Sequence, residues 1–173
     1  MRAEAFRRIV TADRTDFVGR LIALLETHGI HYCLVGGQAV NAYAAPVVSL
    51  DVDLVVSVQQ FTATAELLRL HFRTEEFPHS LNVSESGSDV MVQVQKDPRY
   101  FGFVDRARAA EVLGLRVHVA HPEDLLQGKV WAVTDHTRRP SKRQKDLADI
   151  ARLLEVFPEL RARVPEEVLG RLF

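Results

Sequence analysis

The sequence of 173 residues contains little cysteine, little glycine or proline, and no excess of charge of either sign. Its one cysteine, Cys33, cannot form an internal disulfide, which excludes a disulfide-stabilised scaffold and favours a reducing compartment. Nine glycines and seven prolines are too few for a collagen-like or low-complexity chain. Because 22 basic side chains are balanced by 23 acidic ones, any contact with nucleic acid must come from a local patch.

Long apolar runs are also absent. A helix that spans a bilayer needs about 18 or more apolar residues, and no run in the sequence approaches that length, so no membrane partner is expected. Residues 1–14 carry four arginines but no apolar segment, which argues against a secretory signal. The proportions of hydrophobic residues (47%) and charged residues (26%) are those of a globular protein. We therefore expect a cytoplasmic protein that folds as a single domain over residues 1–173.

Apolar periodicity alternates between helical and strand spacing along the chain. It predicts helices at 16–28, 38–43, 59–72, 100–113 and 122–135, and a last long helix capped by Ser141. It predicts strands at 31–35, 50–56, 81–84, 90–95 and 116–120, of which 81–84 and 90–95 form a hairpin. Together these elements predict an α+β (α/β) domain with a small mixed sheet flanked by helices. Its core covers about 16–120 and its C-terminal helices about 122–157.

The most informative stretch places a Gly-Gly pair shortly before two aspartates. Gly36 and Gly37 end a strand and open a short helix, where backbone N–H groups can approach a phosphate. Asp51 and Asp53 lie two apart on the next strand, so their carboxylates share one face and suit Mg²⁺. Either feature alone is usually a turn or a solvated strand edge. Combined at this spacing, they predict a site for phosphoryl or nucleotidyl transfer.

The segment 35–56 resembles the signature of the nucleotidyltransferase fold, the DNA polymerase beta superfamily. Over about 16–157 the chain resembles the small bacterial AbiEii-type and minimal nucleotidyltransferases, including a helix lysine followed by a Lys-Asp-x-x-Asp helix. The resemblance implies phosphate contacts from Gly36, Gly37 and Gln38, Mg²⁺ binding and catalysis by Asp51 and Asp53, a triphosphate contact from Lys129, and Lys145 or Asp146 lining the same cleft. It also implies NMP transfer from an NTP to an RNA or protein hydroxyl, in a toxin–antitoxin setting.

The residues of the C-terminal pattern also have plainer interpretations. Lys129 can be a surface lysine whose aliphatic stem covers apolar residues. Lys145 and Asp149 are four residues apart, which is the spacing of an ordinary ion pair on a helix surface.

A third carboxylate, which active members of the superfamily place on a later strand facing the aspartate pair, is missing. That carboxylate acts on a second metal and can deprotonate the attacking hydroxyl. In the predicted strand 90–95 the expected position holds Gln93 (or Gln95), and glutamine cannot accept a proton. Three interpretations stay open: Asp89 or Asp97 substitutes for the missing acid, a single metal suffices, or the chain is an antitoxin-like module that binds nucleotide without transferring it.

A local basic patch precedes the last helix. Five cations fall within residues 138–145, namely Arg138, Arg139, Lys142, Arg143 and Lys145. They can hold a triphosphate or the backbone of an RNA acceptor, although a charge run is usually a solvated loop. Since 173 residues leave little room for a separate acceptor-binding domain, this patch, a partner protein or a second copy of the chain would supply that surface.

Overall fold

A seven-stranded mixed β-sheet organises residues 16–172, the part of the chain that the computed structural model describes. Its strands are β1 (Tyr32–Val35), β2 (Asp51–Val56), β3 (Arg73–Glu76), β4 (Ser80–Ser84), β5 (Met91–Gln95), β6 (Arg108–Val112) and β7 (Leu115–Val119). They lie in the order β3-β4-β5-β2-β1-β7-β6. Strand β2 pairs antiparallel with β1 and parallel with β5, so the strand with the two aspartates lies at the centre of the sheet.

Helices cover this sheet and close over one end of it. They are α1 (Phe17–Thr27), α2 (Gly36–Val40), α3 (Phe61–His71), α4 (Pro122–Thr134), α5 (Pro140–Val156) and α6 (Glu166–Leu169). Helices α4 and α5 pack against each other and against α2, the short helix that the Gly-Gly pair opens. Helix α4 begins at a proline followed by two acids, which suit the fixed φ and positive potential of a first turn.

Alternation along β2 separates its core residues from its polar ones. Val52, Leu54 and Val56 are fully buried, as the sequence pattern predicts. Asp51 and Asp53 lie on the opposite face and stay partly exposed. A core on one face of β2 therefore holds the two carboxylates in register on the other.

The predicted helix at 100–113 is wrong. Residues Pro98–Arg106 form a 3₁₀ segment, and strand β6 follows and pairs antiparallel with β7. The two strands are joined by Leu113 and Gly114, which both have positive φ (55° and 74°), the geometry of a tight hairpin turn. The apolar residues of this segment pack onto the sheet, and their spacing imitates a helix.

Two smaller features of the structure also differ from what the sequence predicts. Strand β3 is not predicted, because an edge strand made of Arg-Thr-Glu-Glu has no apolar alternation and is recognised only through its pairing with β4. Ser141 does not cap the last helix, which begins one residue earlier at Pro140 with Arg139 at the N-cap position. Proline at the first helical position needs no amide partner, so the helix starts without a side-chain cap.

No helix within residues 16–172 is long and apolar enough to cross a membrane. The expectation that residues 1–14 carry no secretory signal lies outside the described residues. The single-domain boundaries at 1 and 173 stay a prediction.

Candidate active site

The Gly-Gly turn and the aspartate pair meet at the centre of the sheet. Strand β1 pairs with β2 so that Val35 lies opposite Asp53, and Gly36 follows directly. Gly36 has a φ of 72°, and a Cβ added to it would lie 2.2 Å from Oδ2 of Asp53. Glycine is therefore required here both by backbone conformation and by the close approach of a carboxylate.

Replacing Gly36 by alanine is expected to destabilise the protein and displace Asp53. The left-handed conformation costs a non-glycine residue about 1–2 kcal/mol, and the clash with the carboxylate adds to that loss. Urea denaturation of Gly36→Ala measures the combined loss in the free energy of unfolding. Gly29→Ala is the matched control, because Gly29 has a φ of 64° but open space around it. Equal losses of stability in the two variants would contradict the close approach.

Two cavities meet at the aspartate pair. The first, about 290 Å³, extends toward strand β5 and is lined by Asp51, Asp53, Gln93, Gln95, Tyr100 and Lys129 among others. We call it the β5-side cavity. The second, about 170 Å³, extends toward helix α5 and is lined by Gly37, Val47, Val48, Lys142, Lys145 and Ala148, together with the two aspartates. We call it the α5-side cavity. Both are also lined by Lys129, Arg138 and Asp146, so the predicted site residues other than Gln38 line one cavity or the other.

Gln38 faces away from both cavities. Its side chain is buried and donates from Nε2 to the carbonyl of Ser49 at 2.6 Å, while its Oε1 accepts from Asn41 at 3.0 Å. The side chain of Gln38 is thus bound within the protein, and the contact of Gln38 with a nucleotide phosphate stays a prediction. Gln38 stabilises the loop between α2 and β2, because its side chain extends from α2 and binds the backbone of Ser49 in that loop.

A buried ion network joins α4 to α5. Nζ of Lys129 contacts Oδ1 of Asp146 at 2.9 Å and Oδ2 of Asp149 at 2.8 Å. Asp146 also accepts from Arg138, and Asp149 accepts from Arg152 at 2.7 Å. Although burial lowers the pKa of Lys129, the carboxylates of Asp149 and Asp146 raise it above its ordinary value, so the lysine stays charged.

The network rules out both plain interpretations of these residues. The side chain of Lys129 is only 11% exposed, so it is not a surface lysine. Asp149 pairs with Lys129 and Arg152, while Lys145 is exposed, so no Lys145–Asp149 surface pair forms. Sequence reasoning missed Arg152, although its position three residues after Asp149 is the spacing of a helix ion pair.

The two aspartates have different surroundings. Burial raises the pKa of Asp53 to about 6, an effect that Lys129 opposes and the neighbouring Asp51 reinforces. Asp51 is more open and contacts Nζ of Lys142 at 3.0 Å. Ionising Asp53 is therefore costly, whereas Asp51 already has the cation of Lys142 beside it.

Asp53→Asn is expected to stabilise the metal-free protein near neutral pH by about 1–3 kcal/mol. The folded state raises the carboxyl pKa to about 6, above that of the unfolded chain, so an ionised Asp53 opposes folding at neutral pH. This penalty fades as the pH falls through about 6, where the folded state takes up a proton, and is absent below about pH 4.

Thermal denaturation with a chelator present, repeated from neutral to acidic pH, measures this effect. Asp105→Asn, at an exposed position outside both cavities, is the control for replacing an aspartate elsewhere in the chain. If the gain in thermal stability of Asp53→Asn persisted unchanged in acid, the raised pKa of Asp53 would be contradicted.

The aspartate pair fits a single Mg²⁺ ion. Mg²⁺ is commonly held by one or two carboxylates, with water and substrate phosphates filling the other positions. Asp51 and Asp53 provide these carboxylates, and the register of β5 places Gln93 directly opposite Asp53 with a neutral amide oxygen. Among residues 16–172, no group of three or more histidine, cysteine or acidic side chains is placed to hold a metal.

The two acids considered as substitutes for the missing third carboxylate lie outside both cavities. Asp89 and Asp97 line neither cavity, and Asp97 pairs with Arg99 at 2.7 Å. The structure brings Asp124 to the β5-side cavity instead, where Arg106 binds both its oxygens at 2.8 and 3.0 Å. In the sequence, this acid lies in the first turn of the predicted helix 122–135.

The basic patch divides into two sets. Arg138, Lys142 and Lys145 line the α5-side cavity, and Arg138 and Lys142 also line the β5-side cavity. Arg139 and Arg143 line neither. Three of the five predicted cations are therefore placed to meet a charged ligand beside the aspartates.

No protein-family model and no curated protein sequence matches the chain significantly. Solved structures do resemble it. An antigenic nucleotidyltransferase-like protein from Paracoccidioides brasiliensis is 20% identical, with a TM-score of 0.56 over 96% of this chain and 85% of that one. The antibiotic-resistance factor ANT(2'')-Ia, in complex with adenylyl-2''-tobramycin, is 14% identical, with a TM-score of 0.54 over 84% and 95%. The lincomycin-bound lincosamide antibiotic adenylyltransferase LnuA is 12% identical, with a TM-score of 0.51 over 79% and 95%.

These likenesses confirm the predicted fold, a mixed sheet flanked by helices. The resemblance to the AbiEii-type group is not confirmed by them.

Proposed function

We propose that this protein, which has the nucleotidyltransferase fold, transfers an NMP from an NTP to a hydroxyl group of an RNA or a protein, with Mg²⁺ as cofactor. The observation that supports this most is the position of Asp51 and Asp53 at the junction of two cavities. A transfer reaction needs a donor and an acceptor that meet at one point from different directions.

The α5-side cavity suits the triphosphate. Gly37 presents backbone without a side chain, and Arg138, Lys142 and Lys145 supply positive charge. Bound Mg²⁺ would be held by Asp51 and Asp53 and would neutralise charge on the phosphates. Lys142, which now contacts Asp51, can turn to a phosphate oxygen when the carboxylate takes a metal.

The β5-side cavity suits the acceptor. A hydroxyl oxygen entering there would form a bond to the α-phosphorus, while the bond from that phosphorus to the leaving pyrophosphate breaks. Gln93 faces Asp53 across the strand pair and can orient the hydroxyl by a hydrogen bond, but its amide cannot take the proton. The proton leaves to solvent or to phosphate oxygen, and the chain contributes mainly position and charge.

A second candidate function is nucleotide binding without transfer. The specific observation in its favour is the neutral Gln93 where a third carboxylate is expected, with neither Asp89 nor Asp97 lining the cavities. Such a module would act as an antitoxin-like subunit with a partner protein or with a second copy of the chain. The toxin–antitoxin setting belongs to both candidate functions.

Label transfer tests the two candidates. The purified protein, Mg²⁺ and each α-labelled NTP are mixed with total RNA, with total protein, or with the acceptor antibiotics of the structural relatives. Label that appears on RNA or protein, and is lost when Mg²⁺ is chelated, supports the proposal. Label only on an antibiotic would assign a small-molecule acceptor. Mg²⁺-dependent nucleotide binding without any transfer would favour the second candidate.

A further inference from the structure

We infer that the α5-side cavity binds the nucleobase of the NTP as well as its phosphates, with Val47 and Val48 as the apolar part of its wall. This inference rests on the proposed function, because it places the remainder of the same nucleotide. These residues would contact a planar aromatic base.

The first support is the mixed chemistry of the cavity. Its lining includes Asp51, Arg138 and Lys142, which also line the β5-side cavity, and an apolar set of Val47, Val48 and Ala148 among further polar residues. A nucleoside triphosphate likewise combines charged phosphates with an aromatic base. A ligand that matches only one part of the lining, such as inorganic phosphate, would leave the apolar residues uncovered.

The second support is the exposure of the two valines. Val47 is 54% exposed and Val48 is 44% exposed. Single exposed apolar residues are ordinary on a protein surface, but these two are adjacent in sequence and both line the cavity. A base seated on them would remove apolar area from water on both partners, which favours binding.

The third support is that the loop carrying the valines is held in place. Asn41 binds the backbone of Val47 in both directions, from Nδ2 to its carbonyl at 2.9 Å and from its amide to Oδ1 at 3.0 Å. Gln38 holds the same loop through the carbonyl of Ser49 at 2.6 Å. The valines are therefore presented outward by a fixed backbone, which lowers the entropy lost when a ligand binds.

Arg152 ties this loop to the opposite wall of the cavity. Its Nη2 donates to Oδ1 of Asn41 and to the carbonyl of Ala45, both at 2.6 Å. Its Nη1 donates to Asp149 on α5 at 2.7 Å, one residue from Ala148 on the same helix. Because Arg152 belongs to α5 and binds the loop that carries the valines, the distance between that loop and α5 is set by the fold. We call the space between them the slot.

The chemistry of the slot also predicts how the base is recognised. Valine and alanine side chains have no hydrogen-bond donors or acceptors, so they contact the faces and apolar edges that all bases share. We expect each of the four common NTPs to bind more tightly than inorganic tripolyphosphate.

The test compares two ligands on one variant. In Val47→Ser combined with Val48→Ser, calorimetry with Mg²⁺ present should show about a tenfold weaker affinity for ATP, since several buried methyl contacts are lost. The affinity for tripolyphosphate should not change, because the cationic residues are intact. Val58→Ser is the matched control: Val58 is 51% exposed and lines neither cavity, so both affinities should stay at the wild-type values.

Three results would overturn the inference. Wild-type protein that binds ATP and tripolyphosphate equally well would show that the base is not seated, while leaving phosphate binding and the proposed function intact. ATP affinity that is unchanged in the double valine variant would show that the base lies elsewhere. Equal weakening of both ligands would show that the valines support the phosphate end. Wild-type protein that binds neither ligand would instead contradict the proposed function itself.

Discussion

Replacing Asp51 and Asp53 together by asparagine is expected to reduce nucleotidyl transfer on the order of a thousandfold or more. The two carboxylates lie side by side on β2 at the point where both cavities meet. Asparagine keeps their shape and removes their charge, so the loss reports the charge that holds a cation against the triphosphate. The initial rate of label transfer from α-labelled NTP measures it.

The asparagine pair is informative because it should not unfold the protein. One of its two changes, at Asp53, is expected to stabilise the metal-free fold near neutral pH, so a loss of activity with equal or higher thermal stability identifies a functional role. Asp89→Asn is the matched control, since Asp89 lines neither cavity and its loss should leave transfer unchanged. Transfer that survives in the double variant, or that is lost with Asp89, would contradict the assignment.

Replacing Lys129 by methionine is expected to destabilise the protein by about 3–5 kcal/mol. Methionine has a similar length, but it leaves Asp146 and Asp149 without the cation that joins them. Both carboxylates are largely buried, with side chains 2% and 12% exposed, so water cannot replace the missing charge. Urea denaturation near neutral pH measures the loss.

Two companion variants separate a broken ion network from a lost phosphate contact. Adding Asp146→Asn and Asp149→Asn to the methionine variant should recover part of the stability, because the excess negative charge is removed, while Arg138 and Arg152 lose an anionic partner. Lys145→Met removes an exposed lysine of the same cavity and should change stability little. A small stability loss in Lys129→Met, accompanied by a large loss of nucleotide affinity, would mean that Lys129 acts on the triphosphate, as the sequence resemblance implies.

The expectations that held are those that depend on local spacing. Alternation along β2 places Val52 and Leu54 in the core and Asp51 and Asp53 on the other face, because side chains of a strand alternate wherever that strand lies. The face of β5 that carries Gln93 follows the same rule, while its register opposite Asp53 is set by the pairing of β2 with β5. Helix α4 begins where proline and two acids predict it.

The expectations that failed are those in which distant contacts choose between local alternatives. The segment 100–113 has apolar residues that suit a helix, but pairing with β7 stabilises Arg108–Val112 as a strand. The side chain of Gln38 binds the carbonyl of Ser49, a contact that local spacing does not indicate, because backbone groups of the loop need partners.

The sequence alone determined the chemistry at the centre of this protein: two glycines, two carboxylates on one strand face, and a neutral amide on a later strand. Those features follow from residue type and from a period of two. Tertiary structure determined which charged side chains form ion pairs within the protein and which line the cavities. Lys129 meets Asp146 across 17 residues of sequence and Arg152 meets Asn41 across 111, and only the packing of α4 and α5 over α2 brings such pairs together.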